Sequence, residues 1–187
     1  MRENSAMNDE LYNAVEKLRC AEIDGYNGLP ENLFLLISGL IPIPNVDLLI
    51  TNDKNQILLT KRNDDFFQKS WHIPGGCMRF GEEFEHRIQQ TALNEIGSKV
   101  LVDLQPLAVK SVFRGRNENQ LHANERGHTI AILFSCKVPK NYQIDNKDKN
   151  EEDNGYCKWF DYLPDDFMEI QKIYLDVLKP WIYKEKI

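Results

Sequence analysis

The stretch Gly75-Gly76-Cys77-Met78-Arg79-Phe80-Gly81-Glu82 decides how the chain is read, together with the run behind it that closes on Asn94-Glu95-Ile96-Gly97. Trp71-His72-Ile73-Pro74 leads in with the character of a strand. The glycine pair is expected to break that strand, and Gly81 to break the following loop again. From Glu82 the pattern turns helical. Phe84, Ile88 and Ala92 recur every fourth residue, which puts them on one stripe facing a core. Gly97 is a natural stop for this helix. A strand, a glycine loop and a helix carrying acidic residues make a compact place to hold a metal ion and a phosphate-bearing ligand.

These residues resemble a Nudix box, whose pattern is G-x5-E-x7-R-E-U-x-E-E-x-G-U with U apolar. Gly76 and Glu82 match its opening, and Glu95 and Gly97 its close. Four positions depart: Gln90 stands in place of Arg, Thr91 of Glu, Asn94 of the first Glu of the pair, and Ser98 of an apolar residue. Leu58-Leu59-Thr60-Lys61-Arg62 upstream and Trp71 to Gly76 leading in are also typical of the family. The likeness runs from Pro42 to Leu163. With a single helix-end glutamate, the box is most similar to that of the GDP-mannose mannosyl hydrolase branch. The resemblance implies an α/β fold of the Nudix type, an α/β/α sandwich with a mixed sheet. Here it would occupy residues 41–187, behind an N-terminal helical extension over residues 1–40.

The departures have a physical reading. On a helix, positions 91, 94 and 95 are neighbours by three- and four-residue spacing. Three carboxylates there would hold two or three hard cations through oxygen. One survives, Glu95, beside a hydroxyl and an amide. Two closely spaced divalent ions would lack the negative charge that offsets their repulsion, so one metal ion is expected. Mg²⁺ is the first choice and Mn²⁺ the alternative, with water and substrate phosphates completing the shell. A lone glutamate near a helix end is ordinarily a solvated carboxylate; the glycine loop, the lead-in strand and Gly97 turn the reading toward a metal ligand. The resemblance adds the backbone carbonyl of Gly75 and the side chain of Asp153 as further ligands.

Bulk properties narrow the classes. The length of 187 residues suits one domain of the Nudix kind plus its extension, and 42% hydrophobic residues suffice for a sizeable core. A net charge of −6 with no basic block argues against nucleic acid as a partner. No stretch approaches the ~20 apolar residues of a membrane span, and Met1 to Ser5 have no signal-peptide core. Cys20, Cys77, Cys136 and Cys157 are scattered without Cys-x-x-Cys spacing, which points to reduced thiols in a cytosol rather than zinc or disulfides.

Residues 8–23 read as a first helix and Pro30 begins a second. Extensions in the resembling family often pack on the domain or on a partner subunit, which leaves a homodimer open. Ile41-Pro42-Ile43-Pro44 is an extended link; Val46 to Ile50 and Gln56 to Arg62 read as a strand hairpin around the turn Asn52 to Asn55. Lys99 to Val102, Leu107 to Phe113, Thr129 to Val138 and Cys157 to Phe160 read as strands. A final helix is expected from Leu163 on, with Phe167, Ile170, Ile173, Tyr174, Val177 and Leu178 as its apolar face.

The candidate substrate groups are basic. Arg62 ends a strand where the resembling branch contacts the diphosphate, though Asp64 or Asp65 could equally pair with it. Cys77 occupies the place of a loop arginine in that branch, and Arg79 two residues on could take its role on the leaving diphosphate. The loop from Arg114 to His128 carries three arginines and two histidines in an acidic chain, which could draw a diphosphate; Arg126 and His128 are its candidates. Counting back from Trp159 puts Asp153 at a ligand position and Asn154 where a histidine base would stand. Asn154 cannot accept the proton, so either Asp153, Glu152 or His122 is the base or the reaction differs from that of the branch. The function implied is Mg²⁺-dependent hydrolysis of a nucleotide sugar such as GDP-mannose, by water attack at the anomeric carbon. Attack at phosphorus and a non-catalytic nucleotide-sugar-binding module are the rivals.

Overall fold

The computed structural model describes residues 2–64, 69–113 and 127–182, with side chains from residue 7 onward. Helices α1 (Arg2–Arg19) and α2 (Glu31–Leu40) precede the sheet. The strands are β1 (Ile43–Thr51), β2 (Ile57–Arg62), β3 (Ser70–His72), β4 (Gly75–Cys77), β5 (Leu101–Val102), β6 (Ala108–Phe113), β7 (His128–Lys137) and β8 (Cys157–Phe160), with helix α3 (Phe84–Ile96) between β4 and β5. Their order is β3-β2-β1-β7-β5, with β4 on β1, β6 on β7 and β8 on β2. The sheet is mixed, as expected: β1 and β7 run parallel from Ile43↔Thr129 to Thr51↔Lys137, and the other described pairs are antiparallel.

Alternation along the strands builds two cores. Val46, Leu48, Ile50, Leu58 and Phe134 face Ile88, Ala92 and Ile96 of α3. Leu49, Ile57, Leu59 and Leu133 face Phe167, Tyr174, Leu178 and Trp181 of the C-terminal segment. Each such aliphatic side chain stabilises the fold by ~1.5–3 kcal/mol relative to exposure.

The hairpin of β1 and β2 is joined at one register pair only, Thr51↔Ile57. Beyond it β2 turns to β3 and β8, and β4 takes the vacated edge of β1 through Asn45↔Cys77, Val46↔Gly76 and Asp47↔Gly75. The sheet divides at this point, and the divide opens the space that the site occupies.

Several expectations are corrected. The glycine pair does not break the strand; it is itself β4, because Gly75 and Gly76 have the slenderness to lie between β1 and α3. Of the helical stripe, Ile88 and Ala92 are buried, whereas Phe84 is 44% exposed at the first turn of α3, its ring tilted against Phe134. The first helix runs from residue 2 to 19 rather than 8 to 23. The final helix is replaced by two short 3₁₀ turns, Glu169–Tyr174 and Lys179–Trp181. Of its apolar residues Phe167, Tyr174 and Leu178 are buried, and Ile170, Ile173 and Val177 are half-buried against the same core. Its start is claimed by β3, however: the Trp71 amide donates to Asp166 O at 3.0 Å and the Met168 amide to Trp71 O at 2.8 Å. A backbone engaged laterally in this way cannot also close i→i+4 helical bonds. No helix among the described residues is long and apolar enough to cross a membrane.

Gly97 caps α3 at φ 68° with nothing within 4 Å of an added Cβ, so a side chain there meets backbone strain alone. Gly97→Ala is expected to lower unfolding free energy by ~1–2 kcal/mol, read as a lower urea midpoint at unchanged slope.

Candidate functional site

The register of β4 decides where the Gly75 carbonyl points. The Leu48 amide donates to Pro74 O at 2.8 Å and the Met78 amide to Pro44 O at 2.9 Å, which makes 48–74 and 44–78 hydrogen-bonded pairs. By antiparallel alternation Gly75, paired with Asp47, turns its own N–H and C=O away from β1. That carbonyl remains available to a ligand.

Glu95 sits on the last turn of α3 and lines the same cavity as Gly75, a space of about 520 Å³ also lined by Asn45, Asp47, Arg62, His72, Arg79, Gln171 and Tyr174. The size is that of a small-molecule site. Burial pushes the Glu95 carboxyl up; the nearby Arg62 charge and then a hydrogen bond from Thr60 Oγ1, long at 3.4 Å, act against it. Thr60 is also 2.9 Å from His72 Nε2, and His72 Nδ1 is 2.9 Å from the Ile73 carbonyl. Burial, followed by the Arg62 charge, pushes His72 down to about 4. The neutral ring then donates from Nδ1 to Ile73 O, and its Nε2, at the shorter distance, competes with Glu95 for the single Thr60 hydroxyl proton.

Asp47, in the lining of the same cavity, is buried. Tyr174 Oη donates to its Oδ2 at 2.7 Å and Asn45 Nδ2 to its Oδ1 at 3.0 Å. Desolvation outweighs these bonds and pushes its carboxyl up to about 7. Gln171 clamps the loop between β3 and β4 at both ends of one residue: the Ile73 amide donates to its Oε1 at 2.7 Å and its Nε2 donates to Ile73 O at 2.9 Å.

The box residues take distinct places. Glu82 accepts from the Arg79 amide at 2.8 Å and from both Arg87 Nε, at 2.7 Å, and Arg87 Nη2, so it braces the loop rather than facing the cavity. Thr91 lies buried against Gly76, and its Oγ1 has no hydrogen-bond partner among the described residues. Asn94 is exposed. Arg62 pairs with Asp64 at 2.5 Å, as one of its two readings expected, and it also lines the cavity. Arg79 is exposed on the rim, its guanidinium beside Gly28.

Other sequence candidates stand apart. Asp153 accepts from the Asn150 amide at 2.6 Å within its own turn and lines neither this cavity nor the one at the end of α3. His128 stacks on Phe113 at 4.3 Å, and its Nε2 is buried without a partner among the described residues. Glu152 pairs with Lys69. Arg126 and His122 lie outside the described residues. The smaller second cavity brings Lys149 and Asp145 to the other side of Glu95. Sequence reasoning missed Thr60, Asp47, Gln171, Tyr174 and Lys149. The signal for Asp47 was present: one carboxylate in an otherwise aliphatic strand must have buried partners.

Glu95 and Gly75 line this cavity, and Thr91 Oγ1, beside Gly76, is buried without a partner among the described residues; oxygen groups of this kind suit a hard cation such as Mg²⁺.

A family profile described as "NUDIX domain" matches residues 42–172. The chain therefore belongs to the Nudix family of hydrolases, with a mixed sheet flanked by helices. A curated relative, an RNA pyrophosphohydrolase of Ruthia magnifica subsp. Calyptogena magnifica, is 43% identical over 53 residues, covering 28% of this chain and 28% of its own length. The chain thus spans just over a quarter of that relative. Among solved structures, a MutT protein from Methanosarcina mazei Go1 superposes with a TM-score of 0.51 at 17% identity, over 74% of this chain and 94% of the other. A UDP-X diphosphatase superposes at 0.51 with 24% identity, over 75% and 61%. At these identities the superpositions establish the fold.

The two buried groups oppose each other in pH dependence. Asp47, raised from 3.8 to about 7, binds its proton more tightly when folded, so it erodes stability as pH rises through that window. His72, lowered from 6.5 to about 4, binds its proton more tightly when unfolded, so it adds stability as pH rises from 4 to 6.5. In Asp47→Asn the opposing Asp47 slope is removed: urea unfolding from pH 4 to 6.5 should show stability climbing more steeply than in the wild type, by up to ~1.4 kcal/mol per pH unit.

Proposed function

We propose that the chain is a Mg²⁺-dependent hydrolase of nucleoside diphosphate-linked compounds, that its substrate is a nucleotide sugar such as GDP-mannose, and that water attacks the sugar's anomeric carbon. The observation that carries this is that Glu95, the one carboxylate left among positions 91, 94 and 95, lines the same cavity as Gly75, whose carbonyl is turned away from β1. No group of three His, Cys, Asp or Glu side chains that could hold a metal ion is found among the described residues. One ion suits such a donor set, and one ion suits a reaction whose main demand is to stabilise a departing diphosphate.

Glu95 and the Gly75 carbonyl are the ligands in this reading. Asp153 would be the third. Bound there, Mg²⁺ would supply Lewis-acid stabilisation of charge on the leaving group. Arg79 stabilises that same charge through its paired donors, and Arg62, Arg126 and His128 bind the substrate. A carboxylate or histidine of the 122 and 152–153 loops takes the proton of the attacking water, a contribution of ~10²–10⁴-fold. The apolar residues Met7, Leu11, Val15 and Leu18, exposed along α1, support a homodimer through the extension. The free thiols of Cys20, Cys77, Cys136 and Cys157 support a cytoplasmic setting.

The second reading is attack at phosphorus, favoured by the local likeness to an RNA pyrophosphohydrolase. Hydrolysis in heavy-oxygen water separates the two: label is expected in the released sugar, and label in phosphate would replace the first reading with the second. Glu95→Gln is expected to lower kcat at least ~100-fold with Mg²⁺ present, while the melting temperature stays near that of the wild type.

A further inference from the structure

Part of the cavity wall comes from chain that lies ahead of the matched domain. Gly25, Gly28, Leu29 and Phe34, all from the N-terminal extension, line the same space as Glu95 and Gly75. The turn that brings them there is built. Asp24 Oδ1 accepts the Tyr26 amide at 2.9 Å, its Oδ2 accepts Asn27 Nδ2, and Gly28 follows at φ 98°. This turn interlocks with the box loop through three glycines. A Cβ on Gly25 would stand 3.0 Å from Phe80 Cβ, one on Gly28 3.5 Å from Arg79 Nε, and one on Gly81 2.6 Å from the Tyr26 ring.

What the interlock holds up is a ring in water. Tyr26 and Phe80 meet edge to face, centroids 5.1 Å apart at 76°. Yet Tyr26 is 62% exposed and Phe80 69% exposed. Phe80 lines the cavity; Tyr26 buttresses it from outside. Next to Phe80 in the chain, the Arg79 guanidinium makes no ion pair among the described residues and lies along the same turn. An apolar ring fixed in solvent at the rim of a cavity, with a guanidinium beside it, suits a ligand that carries a flat ring joined to phosphate.

We propose that Phe80 is the stacking platform for the base of a nucleoside diphosphate, that Tyr26 of the N-terminal extension is its positioning residue, and that Arg79 takes the adjoining phosphates. The extension is then part of the binding site as well as a cap on the core. The assignment rests on the nucleoside diphosphate reading of the cavity and adds which side chains hold the base. Stacking on an aromatic side chain tolerates any base, because every base has a π-face. The platform therefore confers affinity for nucleotides as a class, and the choice among bases falls to the polar groups deeper in the cavity, Asn45 and Asp47.

The test is equilibrium binding to the full-length chain with Mg²⁺ present, by calorimetry, using GDP as probe and inorganic pyrophosphate as the baseless control. Phe80→Ala is expected to raise the Kd for GDP about tenfold and leave that for pyrophosphate unchanged. Phe80→Leu, which keeps apolar bulk without a flat face, should behave like Phe80→Ala; Phe80→Trp should restore wild-type affinity. Tyr26→Ala should give a smaller loss for GDP alone, rescued in Tyr26→Phe. The proposal is overturned if Phe80→Leu binds GDP as the wild type does, if GDP and pyrophosphate weaken by the same factor, or if the wild type does not bind GDP. GDP binding that depends on Phe80, in a chain that hydrolyses no nucleotide sugar, would sustain the platform while removing the hydrolase reading.

Discussion

Strand β4 is pressed from two sides, and everything at the site follows from its having no side chains at Gly75 and Gly76. A Cβ on Gly75 would stand 2.3 Å from Asp47 Oδ1, and one on Gly76 2.7 Å from Thr91 Oγ1. Real side chains do not tolerate such approaches, so only glycine lets β1 and α3 both close on this strand. The close approach seats α3 over the divide in the sheet and delivers Glu95 to the cavity from its last turn. The same pairing turns the Gly75 carbonyl away from β1. The helix, the acid and the carbonyl are thus placed by one steric condition.

Around that contact the polar groups are few and tied to one another. Thr60 links Glu95 to His72, His72 and Gln171 both hold Ile73, and Tyr174 holds Asp47. Buried polar groups without partners are costly, and here nearly all of them have partners. The exceptions among the described residues are Thr91 Oγ1 and His128 Nε2. Burial drives Asp47 and Glu95 toward the neutral acid and His72 toward the neutral base. Arg62 is the nearby positive charge that works against this for Glu95 and with it for His72. The cavity therefore lowers its own stored charge and leaves a polar lining that a cation and a phosphate can complete.

The walls come from chain segments distant in sequence. The C-terminal segment reaches the lining through Gln171 and Tyr174, and the N-terminal extension reaches it through the turn at Asp24 to Gly28. Both lie outside the box, and both act on it by contact: Gln171 on the loop that leads into β4, Tyr26 on the loop that leads out of it. A family scaffold carries its particular specificity in such surrounding pieces.

The mixed α/β class followed from the likeness to a Nudix box, and local pattern in the sequence was enough for the strands other than β4 and for α3 with its stop at Gly97. These are read from periodicity and from glycine punctuation, which depend on neighbours in the chain. The C-terminal segment shows the limit: its apolar spacing correctly reported burial, but hydrogen bonds between Trp71 and residues 166–168 took the backbone that a helix would have used. Asp153 shows it again, since counting residues placed it at a ligand position while its own turn claimed its carboxylate. The division of the sheet past Thr51↔Ile57, the enclosure of Asp47, the Thr60 link to Glu95 and the aromatic rim built by Tyr26 were decided by tertiary structure alone. Each depends on contacts between residues far apart in the chain, and no spacing rule within one segment encodes which distant segment will arrive beside it.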